Sequence, residues 1–182
     1  MEFNRFLSGK IIYLREVRTS DVTDEYYNWM NDPEVVKFLE TRYYPRSKEN
    51  ITNFVKSLDG CSNQILFAIC DKTTERHIGN IKIGPVNWVH RFADISLLIG
   101  DKNFWGKGIA TEAIQLVCNY GFNNLNLNKI KAGAYEQNIG SIKAFMKAGF
   151  TKEGLIKKQW NVGGVFFDEV LLGITFDEFH NI

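Results

Sequence analysis

The segment at residues 103–113, NFWGKGIATEA, places a glycine-basic-glycine turn directly before an amphipathic helix. Gly106 and Gly108 permit backbone conformations that residues with a Cβ avoid, so consecutive N–H groups can point into one concavity. The first amides of the helix and its dipole favour an anion at the same place, and Lys107 adds a positive charge. The junction therefore predicts a strand, turn and helix arranged around a phosphate or pyrophosphate group.

The spacing within the turn argues against two common nucleotide-binding motifs. Lys107 lies between the glycines and Ile109 follows the second one, so the turn is not a G-x-x-x-x-G-K-[ST] loop. Thr111 stands where a dinucleotide-binding G-x-G-x-x-G motif has its third glycine, which weakens that interpretation. A tight strand-to-helix connection without a ligand explains the turn equally well on its own, so other features have to decide.

Length and charge bound the class of protein. The 182 residues, 45% of them hydrophobic, suit one domain over residues 1–182. The 22 Lys and Arg residues nearly balance 21 Asp and Glu residues, and no long basic run occurs, which argues against a nucleic-acid partner.

Three cysteines without paired spacing argue against disulfides, and we expect no metal site. The N-terminus, MEFNRFLSGK, lacks a signal-type apolar region, and no apolar stretch is long enough for a membrane span, so we expect a cytoplasmic protein without membrane partners.

Hydrophobic periodicity and turn residues predict a mixed fold. The expected elements are a strand at residues 10–16, a helix that stops at Pro33, a helix at 47–58, strands at 64–71, 77–83 and 92–99, a helix from the glycine turn to about 122, a strand at 129–135, a helix from 138, and two strands around the turn at 163–164. This order predicts an α/β (α+β) fold with a mixed central sheet and helices on both faces. The glycine turn then lies at the carboxyl end of a central strand, where open sheets bind ligands.

A second motif lies at residues 135–154, YEQNIGSIKAFMKAGFTKEG. Asn138, Ser141 and Phe145 share one helical face near the start of a helix, which presents an amide, a hydroxyl and an aromatic edge. Such a face can contact a polar, chain-like ligand. The simpler alternative is that Asn138 caps the helix and Phe145 lies in the core. Both interpretations can hold together.

In this order, the strand, glycine turn, helix, strand, N-x-x-S helix and GF-x-x-EG segment resemble the GNAT superfamily of acetyl-CoA-dependent N-acetyltransferases, and most closely its ribosomal-protein N-terminal and spermidine acetyltransferase branch. The resemblance spans residues 14–174 and implies a mostly antiparallel sheet. In that family the turn holds the cofactor's pyrophosphate, a splayed strand lends its backbone to the pantetheine arm, and the N-x-x-S helix lines the arm. The resemblance therefore implies cofactor contacts at Leu98, Ile99, Trp105, Gly106, Lys107, Gly108, Ile109, Ala110, Thr111, Asn138, Ser141 and Phe145.

Three positions depart from the family pattern. Asn103 replaces the usual Gln or Arg before the turn, which leaves the backbone cradle intact. Phe145 stands where many members have a Tyr that protonates the leaving thiolate, so Ser141 or water would have to serve. Asp94 matches a position that is often Glu, but it lies one residue further from the glycine turn, which a strand bulge could absorb.

Direct attack on a thioester requires a neutral amine, yet an alkyl amine with a pKa near ~10.4 is mostly protonated at neutral pH. Asp94 is the first sequence-based candidate for the proton acceptor, directly or through water, and Glu136 and His90 are the alternatives. Each of the three has a plain structural explanation as well, namely a strand-pairing carboxylate, a helix-end charge and a loop residue.

The resemblance implies transfer of an acetyl group from acetyl-CoA to a primary amine in a ternary complex. A protein N-terminus, a polyamine and an amino sugar are the acceptors left open, and a non-catalytic acyl-CoA-binding module is the alternative function. A homodimer is implied by the family alone. Candidates for the acceptor pocket are Tyr26, Trp29, Glu40, Arg42, Tyr43, Tyr44, Trp88 and Trp160. A helix such as DEYYNWM most often buries its rings in the core, which we favour for Trp29, whereas the 41–46 segment is the better pocket or lid candidate.

Overall fold

The computed structural model describes residues 5–181, in which eight strands form one sheet of order β1-β2-β3-β4-β5-β6-β8-β7. The first four residues of the N-terminus that the sequence analysis considered lie outside this range. The strands are β1 (Leu7–Ser8), β2 (Ile12–Glu16), β3 (Ile65–Asp71), β4 (His77–Asn87), β5 (Phe92–Ile99), β6 (Lys129–Tyr135), β7 (Thr151–Val162) and β8 (Val165–Thr175). Of the paired neighbours within the described range, β5 and β6 alone run parallel. The predicted mixed, mostly antiparallel sheet is confirmed.

Five α-helices accompany the sheet within the same residues: α1 (Asp24–Asn31), α2 (Lys48–Leu58), α3 (Ile109–Asn123), α4 (Ile139–Lys147) and α5 (Phe176–His180). Capping residues set several starts. Thr23 caps α1 through the amide of Tyr26, and Ser47 forms a reciprocal capping box with Asn50 at the start of α2. None of these helices combines the length and apolar character needed to cross a bilayer.

The sheet carries a core on each face. The larger one packs buried residues of α3 and α4, such as Ala113, Val117 and Ile142, against the central strands. The smaller one packs α1 and α2 against the opposite face through Tyr26, Trp29 and other buried residues. Helices therefore cover both faces, as the periodicity predicted.

The structure extends one predicted strand and adds two short elements. The strand predicted to end at Ile83 continues to Asn87, through a cis Gly84–Pro85 bond and a register shift between Ile83 and Val86. A proline can sit in a strand at such an irregularity because the regular ladder is interrupted there. The short strand β1 and the one-turn helix α5 were not predicted, since neither has a periodic pattern long enough to detect.

Candidate active site

The parallel pair of strands separates into an open fork. Pairing between β5 and β6 covers Phe92 to Asp94 and Lys129 to Lys131, and it stops there although both strands continue. Residues 95–99 of β5 remain paired with β4 on their other edge. One backbone edge of β5 is therefore open to an extended ligand, as in β-strand addition of a peptide. We call this opening between residues 95–99 and 132–135 the fork.

The glycine turn lies at the carboxyl end of β5, beside the fork. Gly106 and Gly108 adopt positive φ angles of 73° and 81°, and a Cβ built on either one has no heavy atom within 4 Å. Gly108 is the N-cap of α3 and supplies no side chain, so the helix's first amides face the open space that its missing Cβ leaves. Upstream, Asp101 accepts from the amide of Asn103 at 3.0 Å and pairs with Arg76 at 3.1 Å, which anchors the chain as it enters the turn.

Side chains around the turn leave its backbone exposed. The Trp105 indole N–H donates to the Ile99 carbonyl oxygen at 2.8 Å, so one acceptor position of that carbonyl is already in use. The Lys107 ammonium lies 5.4 Å from the centre of the Phe104 ring, at the surface. The Thr111 hydroxyl donates weakly to the Ala144 carbonyl at 3.5 Å, which ties α3 to α4. Ile109 is buried in the core, whereas Ala110 and Leu98 are half-buried.

The start of α4 shows both of the interpretations that the sequence left open. Asn138 caps the helix, because its Oδ1 accepts from the amide of Ser141 at 3.2 Å. Asn138 and Ser141 are half-buried, so each keeps a surface that a ligand could contact. Phe145 is only 2% exposed and packs edge-on against Phe150 at 5.0 Å. The ring therefore lies in the core, and its contact with a cofactor stays a prediction.

These features fit the pyrophosphate and arm of an acyl-CoA. A side chain at 106 or 108 would fill the concavity, and only glycine adopts those φ angles without strain. The helix amides suit the pyrophosphate, and the open edge of β5 suits the amide-rich pantetheine arm. The residues present are thus compatible with this cofactor class.

The three residues proposed from sequence as the proton acceptor lie in different places. Asp94 is the last β5 residue before the fork, 40% exposed, with its carboxylate 3.4 Å from the Lys131 ammonium. Glu136 is exposed at the end of β6, where its carboxylate accepts weakly from the Asp168 amide at 3.5 Å. His90 lies in the turn before β5, at the opposite end of that strand from the glycine turn. Over the eight residues of β5 that separation is about 25 Å, so the His90 hypothesis is not supported.

The carboxyl end of β6 carries a polar and aromatic cluster centred on Tyr135. The Tyr135 hydroxyl donates to a Glu40 carboxylate oxygen and accepts from the Arg42 guanidinium at 2.9 Å. Its ring stacks on Trp160 with centroids 4.8 Å apart. Burial, and then the hydrogen bond to Glu40, raises the pKa of Tyr135 to about 12, so its hydroxyl stays protonated in the physiological range. Arg42 also contacts Tyr43, whose hydroxyl donates to the Asn161 carbonyl.

This arrangement brings some of the candidate pocket residues together and places others elsewhere. Glu40, Arg42, Tyr43 and Trp160 come together at Tyr135, so the 40–43 turn covers the end of β6. Tyr26 and Trp29 belong to the smaller core, at 3% and 8% exposed, as the sequence favoured for Trp29, because an apolar helix face packs best against the sheet. Trp88 lies in the same distant turn as His90, and Tyr44 is 67% exposed beside the cluster.

Two residues at the fork were missed by the sequence analysis, Tyr135 as a site residue and Glu169. Glu169 of β8 is in register with Tyr135, and its carboxylate lies over Gly133 of β6. The one available signal was Gly133 itself, because an isolated glycine inside a strand often marks close approach by another group. Glu169 could not be assigned to that group, since the pairing of β6 with β8 is not readable from sequence.

The fold and the open fork beside the glycine turn are those of a GNAT-type acyltransferase. The profile of the family described as "Acetyltransferase (GNAT) domain" matches residues 12–151. The chain belongs to this family, and it is an N-acetyltransferase. Members of the family use acetyl-CoA.

Named relatives agree with this assignment. The chain is 30% identical over 177 residues to the probable N-acetyltransferase YjcK of Bacillus subtilis, covering 92% of this chain and 96% of the relative. It is 31% identical over 144 residues to the spermidine N(1)-acetyltransferase of Escherichia coli, covering 79% and 75% respectively. The crystal structure of spermidine N-acetyltransferase from Vibrio cholerae in complex with CoA and spermine superposes with a TM-score of 0.85 at 21% identity, covering 95% of this chain and all of that one.

Proposed function

We propose that this chain transfers the acetyl group of acetyl-CoA to a primary alkyl amine by direct attack in a ternary complex. The fork carries this proposal, because it opens towards the glycine turn at one end and exposes Asp94, Glu169 and the Tyr135 cluster on one face. A thioester and an amine can therefore meet between two strands. Holding both reactants there supplies several kcal/mol of the acceleration, up to about 10.

The acceptor that we place first is a polyamine. Glu40, Asp94 and Glu169 put three carboxylates around the fork against two cations, Arg42 and Lys131. The remaining negative charge favours an acceptor that carries several ammonium groups. The 31% identical relative from Escherichia coli is named a spermidine acetyltransferase, which supports the same class. A protein N-terminal amine and an amino sugar each bring a single ammonium group, and they are the other acceptors to be tested.

The proposed roles of the chain's residues follow from their positions. The amides after Gly106 and Gly108 would hold the pyrophosphate, and an N–H of the open β5 edge would donate to the developing oxyanion. The thioester, when bound, supplies a carbonyl carbon that a neutral amine can attack. We propose Asp94 as an acceptor of a proton from the amine nitrogen. Ser141, or water beside it, would protonate the thiolate, since Phe145 has no ionisable group.

The test is release of free CoA thiol from acetyl-CoA across a panel of polyamines, peptides with free N-termini and nucleotide amino sugars. We expect acceptor-dependent release that is fastest with a polyamine. Fastest release with a peptide or an amino sugar would overturn the acceptor assignment while it leaves the enzyme class in place. Tight acetyl-CoA binding with no release for any amine would favour the non-catalytic acyl-CoA-binding module.

A further inference from the structure

The carboxylate of Glu169 reaches the fork from a strand that does not border it. Glu169 lies on β8, yet a Cβ built on Gly133 of β6 would lie only 2.0 Å from its Oε1. Gly133 is two residues beyond the last β6 residue paired with β5, so its exposed backbone belongs to the open part of the fork. The missing side chain at 133 is therefore what lets the Glu169 carboxylate lie over β6 at the open part of the fork.

The Glu169 carboxylate has no neutralising partner, unlike its neighbours. Asp94 is paired with Lys131, and Glu40 contacts Tyr135 and Arg42. Between residues 5 and 181, no hydrogen-bond donor or cation pairs with the Glu169 side chain. Burial first, and then the charges of Asp94 and Glu40, raise its pKa above the ordinary value. The titratable and charged groups on the elements around it are Lys129, Lys131 and Tyr135 of β6, Lys152, Glu153, Lys157 and Lys158 of β7, and Asp168 of β8, together with Asp94, Glu40 and Arg42.

We infer that Glu169 is a second catalytic carboxylate, which binds the acceptor's ammonium group in the fork and accepts its first proton. This inference rests on the proposed function. Its position over Gly133 puts it beside the open edge of β5, where the attack is to occur. A carboxylate without a cation partner is free to pair with an ammonium ion and, once its pKa is raised, is a better proton acceptor.

The proton balance gives two carboxylates separate tasks. An alkylammonium and acetyl-CoA yield an N-alkylacetamide, the free thiol of CoA and one proton, as a C–N bond forms and a C–S bond breaks. Two protons leave the nitrogen, the first before attack and the second as the bond to carbon forms. Glu169 takes the first, and Asp94 takes the second directly or through water. One of the two ends on the thiol and the other is released to solvent.

The chain contains a matched control for this geometry. Glu153 of β7 lies over Gly173 of β8 in the same manner, with its carboxylate atoms 2.4 and 2.5 Å from a built Cβ. Glu153 is paired with Lys129 at 2.7 Å, away from the open part of the fork. Substitutions at Glu153 and Gly173 therefore repeat the chemical and steric change without touching the site.

The decisive activity experiment is the pH dependence of turnover for Glu169→Gln with the amine that wild type uses fastest. At neutral pH we expect turnover to fall by about 10²- to 10³-fold while acetyl-CoA affinity is unchanged. The deficit should shrink as the pH rises towards the amine's pKa of about 10.4, because the first proton is then lost to solvent. Glu153→Gln should retain wild-type turnover at every pH.

Two measurements independent of turnover complete the test. Carbon NMR of labelled glutamate side chains, with the Glu169 signal identified by its loss in Glu169→Gln, should give a pKa above that of an ordinary glutamate. Asp94→Asn should lower that pKa, because a nearby negative charge is removed.

Gly133→Ala should displace the Glu169 carboxylate. When it is combined with Glu169→Gln in one double variant, turnover should fall no further than in Glu169→Gln alone. Gly173→Ala should leave turnover intact.

The outcomes separate the two proposals. Wild-type turnover in Glu169→Gln, or a deficit that does not change with pH, overturns the role of Glu169 and leaves the acetyl transfer standing. An ordinary pKa for Glu169 has the same consequence. A wild-type protein that acetylates no amine removes both proposals together.

Discussion

The two halves of the site are built by different means. The glycine turn and the start of α3 come from one short run of residues and act through backbone amides, with Gly106 and Gly108 left open by their missing side chains. The proposed acceptor half draws Glu40, Asp94, Tyr135 and other side chains from separate elements, and by our proposal it would act through their charges. Local backbone geometry therefore suits the cofactor common to the family. Side chains from distant segments suit an acceptor that differs between members.

Gly108→Val tests the cofactor half of the site, and we expect it to have the largest effect. We expect acetyl-CoA affinity to fall by more than about 100-fold, since the side chain fills the concavity and strains a residue with a φ of 81°. Isothermal calorimetry with acetyl-CoA measures this effect.

Gly60→Val is the control for backbone strain. Gly60 has a similar φ of 68° and open space at its Cβ position, but it lies after α2, outside both halves of the site. Stability should fall in both variants, whereas the loss of affinity should be confined to Gly108→Val. Unchanged affinity in Gly108→Val would remove the cofactor from the glycine turn.

The features that could be predicted from sequence belong mainly to the cofactor half, and those that could not belong mainly to the acceptor half. The glycine turn, the helix after it and the cap at Asn138 are set by neighbouring residues, so their patterns could be interpreted directly. The register of Glu169 with Tyr135 depends on which strands pair, and the contact of Glu40 with Tyr135 joins residues 95 apart. Tyr26 stayed a pocket candidate because an aromatic side chain gives no local sign of the face it occupies.

Asp94→Asn tests the acceptor half through its proposed base. We expect turnover to fall by about 10²-fold and one acidic limb of the pH profile to disappear, because an amide cannot accept the proton. Acetyl-CoA affinity should not change, since Asp94 lies at the closed end of the fork. Asp177→Asn, at an exposed position of α5, is the control. A pH profile identical to that of wild type would exclude Asp94 as the base.

Tyr135→Phe removes only the hydroxyl that joins Glu40 to Arg42. We expect the KM for the amine to rise by up to about tenfold with a smaller effect on kcat, because the two charged groups lose a shared hydrogen-bond partner. The pKa of about 12 means that the phenol of wild type stays neutral, so the variant should not alter the alkaline side of the pH profile up to about pH 10.

Tyr120→Phe provides the comparison for Tyr135→Phe, since Tyr120 packs against Phe6 and Phe67 by the larger core. It should leave both kinetic constants unchanged. A fall in kcat alone for Tyr135→Phe would mean that the hydroxyl takes part in the chemistry instead of shaping the acceptor site.

The smallest effect is expected at Asn138, where one residue serves the backbone of α4 and, by our proposal, the cofactor. Asn138→Asp keeps an oxygen that can accept from the Ser141 amide, so the free energy of unfolding should not fall. It removes the amide N–H donors, and acetyl-CoA affinity should therefore fall by about two- to tenfold. Asn138→Ala should lose about 1 kcal/mol of stability as well. If Asn138→Asp leaves acetyl-CoA affinity unchanged, the side chain of Asn138 serves only as a helix cap. The cofactor half would then act through backbone groups at this position, as we propose for the glycine turn.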